Sequence, residues 1–305
     1  MKTAKWLCET LLFYTLAFLV ALLPHRTALR LGAGLGLLAF HLIGSRRRVA
    51  VENIARSLDY LQRQKGWLQD HGSAEDIARQ SFMNYGRNVM EACRIYVGRD
   101  AEIVRNVEFR GTEHLKSAQS RQKGVLGITG HCGNWEVMAL AFGVKLSPCA
   151  VLARRLDNPY LNRALEKVRR KFDNSIIYKS GSVREILTRF RRKEIIGILI
   201  DQAVLPSEGC LVEFLGRPAW TTFMPALLAR KSGVPLLPFF IHREGERHVV
   251  EILPEVNFSP EQGGEKGDQL YTAHLTRLIE EYVVRHPTEW YWVHKRWKRA
   301  PPQLP

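Results

Sequence analysis

From Asn106 to about residue 253 the sequence alternates short apolar runs with amphipathic stretches, and this alternation limits the fold more than any other feature. The runs with the length of strands are Val125–Thr129, Pro148–Ala153, Ser175–Tyr178, Ile195–Ile200, Leu236–Ile241 and His248–Leu253. The stretches with helical spacing are Trp135–Leu146, Tyr160–Phe172, Val183–Arg192, Thr222–Ser232 and Asp268–Arg285. Strands that alternate with helices form βαβ units. The pattern predicts an α/β fold with a mixed, largely parallel central sheet flanked by helices.

The N-terminal segment Trp6–Leu23 is mostly apolar and is interrupted only by Glu9 and two threonines. As a helix it would reach roughly 27 Å, close to the thickness of a bilayer's hydrocarbon core. A secretory signal peptide would need a small-residue cleavage site, which the following sequence lacks. We therefore expect a retained membrane-anchoring helix. The alternative is a buried helix followed by a solvated basic turn.

A second apolar stretch, Leu31–Gly44, is rich in glycine and too short to span a bilayer, so we expect it at the membrane interface or packed on the anchor. Arginines surround it at positions 26, 30 and 46–48, which predicts that the body of the chain faces the cytoplasm. Residues 1–48 are thus predicted to be the anchor and its basic flank. Residues 49–305 would form the catalytic domain, with a helical part at 49–105 and an α/β part at 106–305.

The charge balance of 45 Lys+Arg against 30 Asp+Glu gives a net +15, which indicates an anionic partner. Nucleic acid, phospholipid headgroups and an acidic carrier protein all meet that description. No nucleic-acid-binding motif is present, so we expect no nucleic-acid partner. The five cysteines are scattered, with no metal-ligand spacing, and we expect no metal site.

The segment Gly130-His131-Cys132-Gly133-Asn134-Trp135-Glu136 follows the strand Val125–Thr129 and opens a helix, and such turns hold many α/β active sites. Asn134 is a suitable N-cap, and His131 is suited to act as a base toward a hydroxyl. Glu136 could fix the tautomer of the imidazole, while backbone N–H groups at the helix start could hold an oxyanion. Cys132 is not expected to act as a nucleophile. The alternative is a capping turn whose His and Glu are merely solvated.

The sequence HCGNWE resembles the H-x4-E core of the lipid A late acyltransferases of the lauroyl/myristoyl type, part of the HX4D/E acyltransferase superfamily. The resemblance continues at residues 155–160, 169–172, 201–202, 212–219 and 290–297. Cys132 and Leu215 depart from the usual family residues.

This resemblance implies transfer of an acyl group from acyl carrier protein to a hydroxyl of a lipid A precursor, among the lipids of the bacterial inner membrane and on its cytoplasmic face. The thioester donor would be a co-substrate, and no cofactor is expected. The implied catalytic pair is His131 and Glu136, and the implied substrate-binding residues are Asn134, Arg155, Arg169, Arg170, Asp201 and Gln202. The aromatic-basic tail, with Trp290, Trp292 and Trp297, is expected at the membrane interface.

Two alternatives remain open. The chain could acylate another glycolipid or a lysophospholipid, as other members of the superfamily do. It could also be a membrane-associated lipid-binding protein without catalytic activity.

Overall fold

The computed structural model describes residues 2–68, 71–179, 182–257 and 264–301. Its strands are β1 (Val107–Arg110), β2 (Val125–Thr129), β3 (Cys149–Ala153), β4 (Ser175–Tyr178), β5 (Ile195–Leu199), β6 (Gly209–Phe214), β7 (Arg217–Thr222), β8 (Leu236–Glu244) and β9 (Arg247–Ile252). Its helices are α1 (Lys2–Leu22), α2 (His25–Leu42), α3 (Gly44–Gln62), α4 (Ala74–Tyr96), α5 (Ala101–Arg105), α6 (Thr112–Ser120), α7 (Trp135–Lys145), α8 (Pro159–Arg170), α9 (Ser182–Arg191), α10 (Met224–Ser232) and α11 (Glu265–Arg285).

The central sheet has seven strands in the order β1-β9-β8-β2-β5-β3-β4. Every neighbouring pair is parallel except β8 and β9, which form an antiparallel hairpin. The predicted α/β class with a mixed, largely parallel sheet is confirmed. The order also places β5 between β2 and β3, although β3 follows β2 along the chain.

Helices cover both faces of this sheet because successive strand residues point to opposite sides. In β2, Val125 packs in one apolar cluster with residues of α7, such as Val137. Its neighbour Leu126 packs in a second cluster that includes residues of α9, α10 and α11. The strands are apolar on both faces for this reason, as buried parallel strands usually are.

The sequence pattern did not reveal β1 or the β6–β7 hairpin. Strand β1 has only four residues and carries Glu108 and Arg110, so it lacks a clear apolar run. The hairpin turns at Leu215 and Gly216, which both have positive φ, at 50° and 74°. A two-residue hairpin loop favours such angles, but leucine is not a residue that signals them.

The N-terminal helix α1 is long and apolar enough to cross a membrane. Helices α2 and α3 are long and apolar enough only when they are taken as one span, which is bent by 93° between them. The side chain of Asn158 donates to the Trp6 carbonyl oxygen at 3.0 Å and to Thr10 Oγ1 at 3.3 Å, which fixes α1 to the start of α8. The end of α1 also packs on α4, where Ala17 and Val20 share an apolar cluster with Met90 and Cys93. The remaining surface of the helix is exposed and mostly apolar. Membrane association is consistent with this surface.

Helix α2, which contains most of the second apolar stretch, packs against α4 and not mainly on α1. Glycines permit this close approach: a Cβ added at Gly36 would lie 2.2 Å from the Phe82 carbonyl oxygen, and one at Gly86 would lie 2.0 Å from that of Gly32. The outer side of α2 still exposes Leu31, Leu35, Leu38 and Leu42. The stretch therefore has one protein-facing side and one apolar open side.

Candidate active site

Two adjacent parallel strands, β2 and β5, end at the same edge of the sheet and bring His131 and Asp201 together. The imidazole Nδ1 of His131 lies 2.7 Å from Asp201 Oδ1, and the His131 backbone N–H donates to Asp201 Oδ2 at 2.8 Å. The carboxylate thus holds both the ring and the main chain of the histidine. Such a histidine–carboxylate pair is the arrangement that orients a general base.

Asp201 is only 4% exposed, yet it is held as a carboxylate. Burial alone would raise its pKa, but the charge of His131 and hydrogen bonds from His131 and Trp290 outweigh burial and lower the pKa to about 2. The Trp290 indole N–H donates to Asp201 Oδ2 at 2.8 Å. Trp290 is therefore a part of the site that the sequence pattern did not identify.

The other ring nitrogen of His131 faces Gln202, whose Nε2 lies 3.0 Å from His131 Nε2. With the Nδ1 proton directed at Asp201, the Nε2 atom is the acceptor in this contact. Gln202 is exposed, so an incoming hydroxyl could replace its amide without breaking into the core. Of the residues implied by the resemblance, Asp201 and Gln202 are thus the ones that contact His131.

The expectation that Glu136 holds the imidazole needs correction, because its carboxylate binds Arg169 instead. Glu136 Oε1 lies 2.6 Å from Arg169 Nη2, and Oε2 lies 3.2 Å from Arg169 Nε. Glu136 is the second residue of α7 and points toward α8, while the ring of Trp135 lies beside His131 with ring centroids 4.9 Å apart. The turn between His131 and Glu136 therefore separates their side chains.

Arg169 is nearly buried, and its Nη1 has no hydrogen-bond partner among the described residues. Glu136 and Arg169 both line the large cavity beside His131. Together they place a buried guanidinium donor at the cavity wall, which could interact with a carbonyl or phosphate oxygen.

Asn134 caps α7 as expected, since its Oδ1 accepts from the Val137 N–H at 3.3 Å. Its Nδ2 donates to Glu91 Oε2 at 2.8 Å, and Glu91 is fully buried among Arg243 and His248. Both ends of the Asn134 side chain are thus occupied within the protein. Asn134 therefore fixes the turn that carries His131, and its role in substrate binding stays a prediction.

A cavity of about 570 Å³ opens beside His131, and its size falls in the range of small-molecule sites. The polar residues at its rim include His131, Glu136, Arg154, Lys179 and Gln202. Its deeper wall is apolar and includes Met138, Phe142, Val151, Ile195, Leu227 and Phe239. Gly127 and Gly197, which face each other across β2 and β5, also line it and leave it open. The cavity has the character of a site for an apolar chain.

The remaining arginines named from the sequence do not line this cavity. Arg155 is exposed and lies over the ring of Tyr178, 4.4 Å from its centroid. Arg170 is exposed and lies 3.5 Å from Glu166. Either residue could contact a large partner outside the cavity, but neither reaches the pair of His131 and Asp201.

The expectation for the tail is wrong for its first two tryptophans. Trp290 is 2% exposed and Trp292 is fully buried, so they belong to the core and not to a membrane interface. Cys132 is also fully buried, and burial raises the pKa of its thiol well above the usual range. A neutral, buried thiol is a poor nucleophile, which agrees with the expectation for Cys132.

His242, Glu251 and His286 have potential ligand atoms within 4.8 Å of one another. The two imidazole rings, however, stack face to face with centroids 4.1 Å apart and planes 16° apart. Ring nitrogens bind metal in the ring plane, so nearly parallel stacked rings cannot both point at one ion. The group is better described as a packing contact.

An α/β fold, a histidine paired with a buried carboxylate at two strand ends and an adjoining apolar cavity are together typical of an enzyme active site. The profile of the family described as "Bacterial lipid A biosynthesis acyltransferase" matches residues 2–299. The chain belongs to this family and is an acyltransferase.

Relatives with assigned activities agree with this membership. The lipid A biosynthesis lauroyltransferase of Escherichia coli (strain K12) is 25% identical over 291 residues, which cover 94% of this chain and 90% of the relative. The lipid A biosynthesis palmitoleoyltransferase of the same strain is 21% identical over 284 residues, with 92% and 87% covered. The phosphatidylinositol mannoside acyltransferase of Mycolicibacterium smegmatis is 24% identical over 229 residues, with 73% of each chain covered.

Proposed function

We propose that the protein transfers a fatty acyl chain from acyl carrier protein to a hydroxyl of a lipid A precursor. The observation that carries this proposal is the pair of His131 and Asp201 at the mouth of an apolar cavity. The cavity would take the acyl chain, with the thioester carbonyl left at its mouth beside His131.

In the proposed reaction the acceptor hydroxyl replaces the Gln202 amide at His131 Nε2. His131 takes the hydroxyl proton as the oxygen attacks the thioester carbonyl carbon, and Asp201 stabilises the resulting imidazolium. The tetrahedral intermediate then collapses, the carbon–sulfur bond breaks, and the leaving thiolate takes the proton back from His131. The products are the ester and the free thiol, and no acyl-enzyme forms.

Glu136 keeps a supporting role in this proposal through Arg169. The ion pair holds the Arg169 guanidinium at the cavity wall, where its unpartnered Nη1 could stabilise the negative charge of the intermediate. The backbone N–H groups at the start of α7 could contribute to the same end.

The proposed donor and location follow from charge and from the N-terminal helices. Exposed basic side chains at the rim, including Arg154 and Lys179, would meet the acidic carrier protein. The exposed apolar sides of α1 and α2 would hold the enzyme at the cytoplasmic face of the inner membrane, where its acceptor lies.

A second candidate acceptor is another glycolipid, which the similarity to the mycobacterial phosphatidylinositol mannoside acyltransferase favours. The residues at the site serve acyl transfer to either acceptor. Only the acceptor-binding surface would differ.

The test is an acyl-transfer assay with the detergent-solubilised full-length protein, acyl carrier protein or coenzyme A as carrier, and a lipid A precursor or phosphatidylinositol mannoside as acceptor. We expect transfer from acyl carrier protein to the lipid A precursor. His131→Ala should lower kcat by about two to four orders of magnitude. Leu270→Ala, an exposed change on α11, serves as the control. Near wild-type turnover in a folded His131→Ala protein would contradict the mechanism.

A further inference from the structure

A shallow surface depression of only about 10 Å³ borders His131 and adjoins the apolar cavity, with which it shares His131 and Trp135. Its lining includes the aromatic residues Tyr85, Trp135 and Tyr291, and polar groups of Asn84 and Thr288. His131 therefore lies between an apolar cavity on one side and an aromatic surface on the other.

The aromatic rings form a continuous surface beside the base. The centroids of Tyr85 and Tyr291 are 5.1 Å apart, and Tyr291 lies 6.2 Å from both Trp135 and His131. Tyr85 is 42% exposed, so one part of this surface is open to solvent. An accessible aromatic surface of this kind can bind the face of another ring.

The depression is fixed to the catalytic turn through the main chain. The Tyr291 N–H donates to the His131 carbonyl oxygen at 3.1 Å, and the Gly133 N–H donates to the Glu289 carbonyl oxygen at 2.9 Å. From α4, Asn88 Nδ2 donates to the Gly133 carbonyl oxygen at 2.8 Å. A ligand bound on these rings would thus keep a defined position relative to His131.

We propose that the open aromatic surface at this depression, with Tyr85 and Tyr291 as its platform, binds the sugar ring of the acceptor and presents one of its hydroxyls to His131. This inference rests on the proposed function. A pyranose ring has C–H faces that pack on aromatic rings, and its edge hydroxyls can stay hydrated on this open surface. The apolar cavity is a poor site for the sugar, because burial there would leave sugar hydroxyls without hydrogen-bond partners. Sugar and acyl chain thus occupy different sides of the base.

The experiment measures binding of two lipids to the detergent-solubilised full-length protein by titration calorimetry, without any acyl donor. The probes are a lipid A precursor with its glucosamine disaccharide and a phosphatidic acid with matched acyl chains but no sugar. The variants are Tyr291→Ala and Tyr85→Ala, with Tyr291→Phe as the ring-preserving control and Leu270→Ala as the distant one.

Each alanine change should raise the Kd for the glycolipid roughly fivefold, since one aromatic contact is lost. The Kd for phosphatidic acid should change less than twofold, and Tyr291→Phe should bind the glycolipid like the wild type. A glycolipid Kd within twofold of wild type in both alanine variants would overturn the proposal. Equal weakening for both lipids would also overturn it, because a general structural effect has no preference for the sugar.

The binding experiment needs no turnover, so its result is independent of the acyl-transfer assay. If the wild type transfers acyl groups while the tyrosine variants keep full glycolipid affinity, only the platform is wrong. If the wild type transfers to no acceptor, the proposed function fails and this inference fails with it. Tyr85 is exposed on α4, so Tyr85→Ala supplies a folded variant even if Tyr291→Ala disturbs the tail.

Discussion

Replacing Asp201 by asparagine tests which carboxylate supports His131 in the proposed reaction. Its surroundings lower the Asp201 pKa from 3.8 to about 2 even though burial opposes this, and His131 is the chief cause of the lowering. A hydrogen bond between charged groups contributes about 1.5–3 kcal/mol. An imidazolium that forms in the transition state would lose stabilisation of this order in Asp201→Asn. We therefore expect kcat to fall by about 100-fold.

The asparagine keeps the size of the side chain and one oxygen that can accept from Trp290, so the fold should be retained. The assay is single-turnover acyl transfer to a lipid A precursor, with thermal unfolding as the check on folding. Combined with His131→Ala, Asp201→Asn should cost little more than His131→Ala alone, because a base and its orienting group act as one unit.

Glu136→Gln is the matched comparison, since it also neutralises one carboxylate near the site. Glu136 contacts Arg169 and not His131, so its effect should add to that of His131→Ala. The sequence alone predicts the opposite, because it pairs Glu136 with His131. A kcat for Asp201→Asn within threefold of wild type would refute the reasoning. It would also be refuted if the losses in kcat were additive in the His131/Asp201 double variant but not additive in the His131/Glu136 double variant.

Other consequences can be measured directly. If basic residues at the cavity rim bind acyl carrier protein, raising salt should raise KM for this carrier more than it lowers kcat. An unchanged KM in a salt series would show that these residues do not bind the carrier. Deleting residues 2–22 should increase the soluble fraction in sedimentation. Deleting 2–45 should lower the melting temperature further than deleting 2–22 does, because α2 covers more of α4 than α1 does; equal melting temperatures for the two deletions would count against that packing. Gly197→Val should shorten the preferred acyl chain in a chain-length series, because the added side chain would occupy the cavity. A Cβ at this position would have its nearest protein atom 4.0 Å away, so valine fits there without a clash. An unchanged chain-length preference would place the acyl chain elsewhere. Burial lowers the pKa of His286 to about 3 and that of His294 to about 4, so the folded protein favours the neutral rings. The melting temperature should therefore fall as pH drops from 6.5 toward 4, and His286→Gln should make it depend less steeply on pH.

Much of the α/β part follows from local sequence. Strands such as β2 and β5 are uninterrupted apolar runs between polar stretches, and both begin at the residue that the pattern predicts. Asn134 was recognisable as an N-cap because its type and its position before an apolar stretch are typical of helix starts. These features depend on neighbours within one turn or one strand.

The tail could not be placed by the same reasoning. A sequence with three tryptophans among basic residues is typical of a membrane interface, and composition alone cannot distinguish that from a core segment. Trp290 is buried by contacts with residues far along the chain. Its backbone forms an isolated β-bridge with Cys132, and its indole N–H donates to Asp201. Buried Arg296 is likewise held by a residue far along the chain, since its Nη1 donates to the Trp220 carbonyl oxygen at 2.6 Å.

The identity of the carboxylate beside His131 depends on strand order. His131 and Asp201 are 70 residues apart and meet because β5 lies next to β2 in the sheet, while the chain itself proceeds from β2 to β3 and β4 first. Glu136 is nearer in sequence, but the turn and the start of α7 direct it to the other side. The same strand order lets the tail reach the site, since Trp290 binds the carboxylate that holds the base. Substitutions at Trp290 should therefore alter kcat and not membrane binding, although the residue lies far from HCGNWE in the chain.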